Sequence, residues 1–217
     1  MPSKYRNQKT SKSDSGPVRR SHNLNLKKHK HIFNSISSVY NLFYNYQCRG
    51  YSRVLKEYID TLKIPEKGRI LDIGCGTGAL VQSLSEYGYD VSGVDLAEKM
   101  LGHAVERGHN CRYGNVVDGL GMEDHSFDLV TSAFVAHGLD REKRKCLFEE
   151  AARLTRGVVL FHDYSDKRNW FINFIEYMED GDYFNFIQSG LKEMKEVFTK
   201  VEVIKIRKFN SWYICRP

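Results

Sequence analysis

The chain has 217 residues, 41% hydrophobic and 28% charged, with 33 Lys and Arg against 27 Asp and Glu; that mixture suits one soluble domain with a single core. No apolar run approaches the roughly 20 residues of a membrane helix, and the N-terminus lacks the apolar core, about 7–15 residues long, of a secretory signal. The five cysteines (Cys48, Cys75, Cys111, Cys146, Cys215) form no C-x-x-C pair and no Cys/His spacing for zinc, so no metal is expected and reduced thiols in a cytoplasmic protein are.

In chain order, residues 1–31 come first. They hold nine of the basic residues against one acid, Asp14, which leaves 24 basic and 26 acidic residues in 32–217. The net charge of +6 therefore belongs to the tail, and the body is close to neutral. Residues 1–28 are Ser/Lys/Asn-rich with almost no large apolar side chains. Such a segment buries too little surface to offset its ordering entropy, which predicts a disordered basic tail. A basic arm can touch phosphates, although a plain solvated tail is the simpler reading.

From residue 32 the pattern changes. Ile32, Phe33, Ile36, Val39, Tyr40 and Phe43 recur at helical spacing, and a second helical stretch runs from about Tyr51 to Leu62. Together they predict an N-terminal helical cap over 32–62, ended by Pro65 and a Lys67-Gly68 turn. Residues 69–73 read as a buried strand, followed by a glycine loop and a helix from about Ala79 to Tyr87. A strand at 90–95, a helix at 97–107, a short strand at 111–113, a strand at 127–132, a helix at 140–154 and a strand at 157–162 continue the alternation. Strands separated by helices of this length predict a parallel sheet with right-handed crossovers.

The end of the chain breaks the pattern. Residues 168–198 carry Trp170, Phe171, Phe174, Tyr177, Tyr183, Phe184, Phe186 and Phe198, and 164–198 is expected to form an aromatic lid between strands 5 and 6. Residues 201–206 alternate with period two and are followed closely by Trp212-Tyr-Ile-Cys215. A connection that short demands an antiparallel pair. The expected fold is α/β: a Rossmann-like, mostly parallel seven-stranded sheet, helices on both faces, closed by an antiparallel C-terminal hairpin.

The chemistry concentrates in R-I-L-D-I-G-C-G-T-G-A (69–79). Gly74, Gly76, Gly78 and Ala79 fit a dinucleotide pattern, and Asp95 stands about 20 residues on, where an acid accepts hydrogen bonds from both ribose hydroxyls. Asp72 separates the readings. An acid two residues before the first glycine would oppose a pyrophosphate held at a helix N-terminus, but it suits a ligand with an α-ammonium group. A nucleoside joined to an amino acid through a sulfonium has that charge pattern, so the loop reads as a site for S-adenosylmethionine.

I-L-D-I-G-C-G-T-G (70–78) resembles the first motif of class I S-adenosylmethionine-dependent methyltransferases. The resemblance continues through V-S-G-V-D-L-A-E-K-M-L (91–101), Y-G-N-V-V-D (113–118), S-F-D-L-V-T-S-A-F-V-A-H-G-L (126–139) and A-R-L-T-R-G-V-V-L (152–160). It implies a methyltransferase domain over 32–217, with Gly74, Gly76 and Gly78 under the methionine portion and Asp72 near its amino group. It further implies Asp95 on the ribose, Leu96 on the adenine, Asn115 and Val116 at the adenine edge, and Ala133 near the sulfonium. F-N-S-I-S-S-V-Y-N-L-F (33–43) is similar to the N-terminal helix of the ubiquinone/menaquinone type, which implies Tyr40 as a cap on the cofactor. Two positions depart from the pattern. Asn115 replaces an acid, and Thr155-Arg156-Gly157 replaces Pro-Gly-Gly before strand 5.

Cys75, inside the loop, reads as a filler of small space and not as a nucleophile. His137 follows strand 4 and His162 ends strand 5, at the edge where such sheets bind ligands, as acceptor contacts, a base, or surface or core histidines. Tyr44, beside the apolar stripe, is a further pocket residue or a packing residue. A sulfonium is an activated methyl donor, so no catalytic residue need be visible, and a base is needed only if the acceptor must lose a proton. The first reading is methyl transfer to a small-molecule acceptor with S-adenosyl-L-homocysteine as product. The alternatives are an RNA methyltransferase using the basic tail, opposed by the slightly acidic body, and a non-catalytic nucleoside-binding protein. A dinucleotide oxidoreductase stands last, since Asp72 and the terminal hairpin oppose it.

Overall fold

The computed structural model describes residues 43–166 and 182–217. The basic tail, Tyr40, most of the predicted stripe, and Trp170, Phe171, Phe174 and Tyr177 lie outside these. A helix, α1, runs through 43–58 and tightens into a 3-10 turn over Ile59–Leu62. The alternation then follows as β1 (Arg69–Ile73), α2 (Ala79–Ser85), β2 (Asp90–Asp95), α3 (Glu98–Glu106) and β3 (Cys111–Tyr113). After it come β4 (Phe127–Ala133), α4 (Arg141–Leu154), β5 (Thr155–Tyr164), α5 (Tyr183–Val197), β6 (Lys200–Lys205) and β7 (Asn210–Arg216).

The strands form one seven-stranded sheet in the order β3-β2-β1-β4-β5-β7-β6. The first five are mutually parallel, and β7 runs antiparallel to both β5 and β6. This is the predicted Rossmann-like sheet with its terminal hairpin. Its chain reversal lies between β1 and β4, where open α/β sheets hold ligands at the carboxyl ends of the strands.

Period-two alternation divides the core into two layers. On one face, Val54, Leu55, Ile59 and Leu62, with Leu80, Val81, Leu84 and Leu101, pack on Ile70, Leu129, Val158, Leu160, Trp212 and Ile214. This is the face of α1, α2 and α3. On the other face, Leu147, Phe148, Ala151 and Leu154 of α4, together with Phe186 and Met194 of α5, pack on Leu71, Val130, Val159, Phe161 and Tyr213. The described part of the predicted lid is thus a helix laid on the sheet, with Tyr183 and Phe186 buried.

Two local expectations shift. The helix expected to reach Tyr87 ends at Ser85, where the N–H groups of Glu86, Tyr87 and Gly88 turn back onto Gln82, Leu84 and Ser85. The Thr155-Arg156-Gly157 segment forms no separate turn, because α4 passes directly into β5. Thr155 Oγ1 accepts the Gly157 N–H at 3.1 Å, and Arg156 makes a two-pronged contact with Asp128 at 2.8 Å on each arm. A Cβ at Gly157 would stand 2.3 Å from the Asp128 carbonyl oxygen. Glycine is required there by the close approach of β4.

Candidate functional site

The loop after β1 turns through Gly74, Gly76 and Gly78 at φ +79°, +53° and +83°, a region that favours glycine. Gly74 and Cys75 both donate to the Val94 carbonyl, at 2.8 and 3.1 Å. Gly76 donates to Asp95 Oδ2 at 2.7 Å, and Gly78 to the Cys75 carbonyl at 2.9 Å. A Cβ at Gly74 would lie 2.3 Å from Val135 Cγ2, and one at Gly78 would lie 2.5 Å from His109 Cδ2. Two of the three glycines are therefore fixed by packing as well as by backbone conformation. Cys75 is buried and its thiol is pushed far up, first by its contact with Cys111 and then by burial. That environment makes it inert.

Asp72 sits in β1 with 1% of its surface exposed, beside Gly93 and Thr131 in the neighbouring strands. Its Oδ1 is buried with no hydrogen-bond partner among the described residues. Burial, followed by the Asp95 carboxylate, pushes it up to about 8. Asp95 ends β2 half-buried, with Oδ2 on the Gly76 N–H and Oδ1 on the Ala97 N–H, each at 2.7 Å. Burial raises it against the pull of these backbone donors. The Leu96 N–H is a third backbone donor to it, which leaves part of the carboxylate's roughly four lone-pair sites for a further hydrogen bond.

Leu96 follows half-buried. The loop after β3 runs alongside, with Gly114 donating to the Asp95 carbonyl at 3.1 Å. Asn115 there caps the 3-10 turn Val116–Asp118: its Oδ1 accepts from Val117 at 3.2 Å and its Nδ2 donates to Asp118 at 2.6 Å. The charge missing at 115 is thus present one turn on. Val116 packs against the α4–α5 core. Ala133 closes β4, in register with His162.

The remaining predicted residues separate. Tyr44 donates or accepts a 2.9 Å bond with His109 Nε2 and lies under the Arg107 guanidinium at 3.9 Å, on the glycine-loop side. His137 faces α5: its Nδ1 lies 2.7 Å from Asp163 Oδ1 and its ring 4.7 Å from Tyr164. His162 faces α1 instead, 5.9 Å from Tyr51 and 6.3 Å from Trp212. Burial, with the Arg207 charge added, pushes it down to about 4 against the pull of Asp163, so it is neutral. Phe134, held at φ +56°, places its ring 4.9 Å from His162 and 6.4 Å from His137. Sequence reasoning missed Thr131, Trp212 and Asn210, whose Oγ1, Nε1 and Oδ1 are buried without partners among the described residues. The alternation of β7 around Trp212 was the available signal for two of them. No cluster of three His, Cys, Asp or Glu suited to a metal occurs among the described residues, and no described helix is long and apolar enough to cross a membrane.

A sheet of this order, with a glycine loop after β1 flanked by Asp72 and an acid ending β2, defines the class I S-adenosylmethionine-dependent methyltransferase architecture. Residues 70–157 match the family described as a methyltransferase domain. It is 29% identical over 148 residues to the phosphoethanolamine N-methyltransferase of Plasmodium falciparum, covering 64% of this chain and 56% of that protein. It is 40% identical over 82 residues to a ubiquinone biosynthesis O-methyltransferase of Bordetella avium, covering 35% and 34%. The chain thus spans about half of one curated relative and a third of the other. Among solved structures, phosphoethanolamine N-methyltransferase 2 of Haemonchus contortus in complex with S-adenosyl-L-methionine aligns at a TM-score of 0.57 with 26% identity, over 70% of this chain and 38% of that one. S-adenosylmethionine is the donor of this class.

Proposed function

We propose that this chain transfers a methyl group from S-adenosylmethionine to a small-molecule acceptor by in-line displacement. The observation that carries the reading is the buried, unpartnered Oδ1 of Asp72 beside the glycine loop. A buried carboxylate oxygen without a partner costs about 1–3 kcal/mol or more, and an α-ammonium group at that place would satisfy it. The remaining residues fit the same ligand. Asp95 keeps lone-pair capacity for the ribose hydroxyls, and Leu96 and Val116 offer apolar surface to the adenine. Ala133 ends β4 without side-chain bulk where the reacting centre would stand.

When bound, the donor supplies an already activated methyl group. The chain's own task is then to bind, orient and exclude water. Bringing an acceptor to about 3 Å, aligned and dry, is worth roughly 7–11 kcal/mol at best. His137 is assigned a structural part: with Nδ1 on Asp163, and its own N–H 3.3 Å from Asp163 Oδ2, it ties the loop after β4 to the end of β5. Asp72 and Asp95 hold the donor, and no proton transfer by either is required.

Calorimetric titration with S-adenosylmethionine, S-adenosylhomocysteine and NAD tests the proposal. Micromolar binding of the first two without NAD, weakened at least tenfold by Asp95→Asn, is expected. Binding of NAD alone would return the loop to the oxidoreductase reading.

A further inference from the structure

The donor site occupies only one end of a longer polar strip. Alternation puts Asp72 of β1, Thr131 and Ala133 of β4, His162 of β5, and Asn210 and Trp212 of β7 on the face covered by α1. Register links them in sequence. Asp72 pairs with Thr131, Ala133 with His162, His162 with Trp212, and Tyr164 with Asn210. Beyond Ala133, three buried polar atoms on this strip have no hydrogen-bond partner among the described residues: His162 Nε2, Trp212 Nε1 and Asn210 Oδ1. His162 and Trp212 are 6% and 2% exposed, while Asn210 and Phe134 are half-buried, so the strip reaches solvent at the carboxyl edge of the sheet.

Leaving such atoms bare costs roughly 1–3 kcal/mol each, and three of them stand within two residues of one another on adjacent strands. Nothing in the packing calls for this. Leucine or phenylalanine at 162 or 212 would meet Tyr51 and Tyr58 of α1 without that cost. The pattern is that of a site built for a polar guest.

We propose that His162, Trp212 and Asn210 form the acceptor subsite, and that it takes the hydroxyl group of a small aromatic acceptor; this rests on the methyltransferase reading above. The donor and acceptor roles of the three atoms select the group. Trp212 Nε1 can only donate, Asn210 Oδ1 can only accept, and a neutral imidazole can do either. A carboxylate would be met by the Trp212 N–H but by Asn210 only after its amide turns to present Nδ2, and an ammonium would face the Trp212 N–H with a second donor. A hydroxyl both gives and accepts. The wall beside these atoms is aromatic, with Phe134 4.9 Å from His162, Tyr51 5.9 Å from it and Tyr58 5.9 Å from Trp212; these rings touch one another, so a flat guest stacks against them from the carboxyl edge and does not enter between them. The subsite orients the guest; it assigns no step to His162, whose depressed basicity makes it a hydrogen-bonding group and not a proton acceptor.

The two tryptophans, Trp170 and Trp212, permit a direct test. The protein is labelled with 15N at the indole nitrogens, and Trp212→Phe assigns the Trp212 signal. Phenol, toluene and benzoate are titrated with and without S-adenosylhomocysteine. For the seven heavy atoms of phenol a millimolar Kd corresponds to about 0.6 kcal/mol per atom, well within the usual ceiling of about 1.5. Phenol is expected to shift the Trp212 indole signal with a millimolar Kd, and toluene and benzoate at least tenfold more weakly. His162→Phe and Asn210→Leu should each weaken phenol at least fivefold while the native spectrum persists. Equal shifts from toluene and phenol would mean a plain apolar cavity, and no shift from phenol would mean that water alone fills the strip; either overturns the proposal. The arm without S-adenosylhomocysteine reads the subsite whether or not the donor binds, so failure here is distinct from failure of the donor titration.

Discussion

Asp72 offers the sharpest test of the donor site, because its environment makes ligand binding depend on pH in a calculable way. Burial and the neighbouring Asp95 carboxylate push it up to about 8, so at pH 6 only about 1% of the free protein carries the charge. An α-ammonium beside the carboxyl favours its ionised form. Binding in this range therefore expels a proton, and affinity rises with pH until the free carboxyl is itself ionised. From pH 6 to pH 8 the gain is about 50-fold, or about 2.3 kcal/mol, if the bound form stays ionised throughout. Calorimetry with S-adenosylhomocysteine at pH 6, 7 and 8, in two buffers of different protonation enthalpy, reads both the affinity and the proton count. Nearly one proton should leave at pH 6. Asp72→Asn should bind more weakly at pH 8 and lose the slope, and comparing the two proteins cancels any titration of the ligand's own amine. Stability moves the opposite way. A folded-state value above the unfolded one means that the stabilising effect of the protonated carboxyl is complete below about pH 4 and is lost as pH rises towards 8. Unliganded Asp72→Asn should consequently melt above the wild type at pH 8 and converge with it at pH 4. A wild-type affinity that is flat from pH 6 to 8, or a slope that survives in the variant, would refute the assignment.

Arg144, 1% exposed, donates to both oxygens of Glu193 at 2.6 and 3.0 Å and to Asp182 at 2.7 Å. Arg144→Ala should cost about 3–5 kcal/mol in urea denaturation by leaving Glu193 buried and unpaired, and Arg144→Met with Glu193→Leu should recover most of it. Burial pushes Glu193 up, but hydrogen bonds from Arg144 and Ser189 outweigh it and hold the carboxyl below its ordinary range. Its stabilising effect should therefore be present above about pH 4.5 and disappear as pH falls through the folded value, which an acid titration of the melting temperature would show. Gly74→Ala, at φ +79° and 2.3 Å from Val135 Cγ2, should lose at least about 1–2 kcal/mol from backbone strain alone, and adding Val135→Ala should restore only the steric part in thermal melts. Cys75 and Cys215, buried and shifted upward, should be the last thiols alkylated in native protein at pH 8, as timed by mass spectrometry.

The sheet was legible because its signals are local. Alternating apolar strands and helices imply parallel neighbours, and the short link before Trp212 forces an antiparallel close. The glycine loop and Asp95 were legible through spacing, although Gly74 and Gly78 owe their necessity partly to Val135 and His109, which no local pattern brings to them. His137 and His162 show where such reading stops. Both stand at the carboxyl edge of the sheet, His137 just after β4 and His162 near the end of β5, and sequence spacing treats them alike. One residue of alternation separates them: Asp163 turns to the α5 face and takes His137 with it, while His162 turns to α1 and meets Trp212. Which residues oppose each other across β5 and β7 depends on a register set by the whole sheet. Asn210 and Trp212 therefore looked like ordinary strand residues. On the proposed assignments, donor recognition is written in one contiguous loop and two acids, whereas acceptor recognition is assembled from two strands, β5 and β7, whose register the local sequence does not encode. That difference is why the class of this protein is readable before its substrate, and why the unpartnered atoms of His162, Trp212 and Asn210 are the place to look for that substrate.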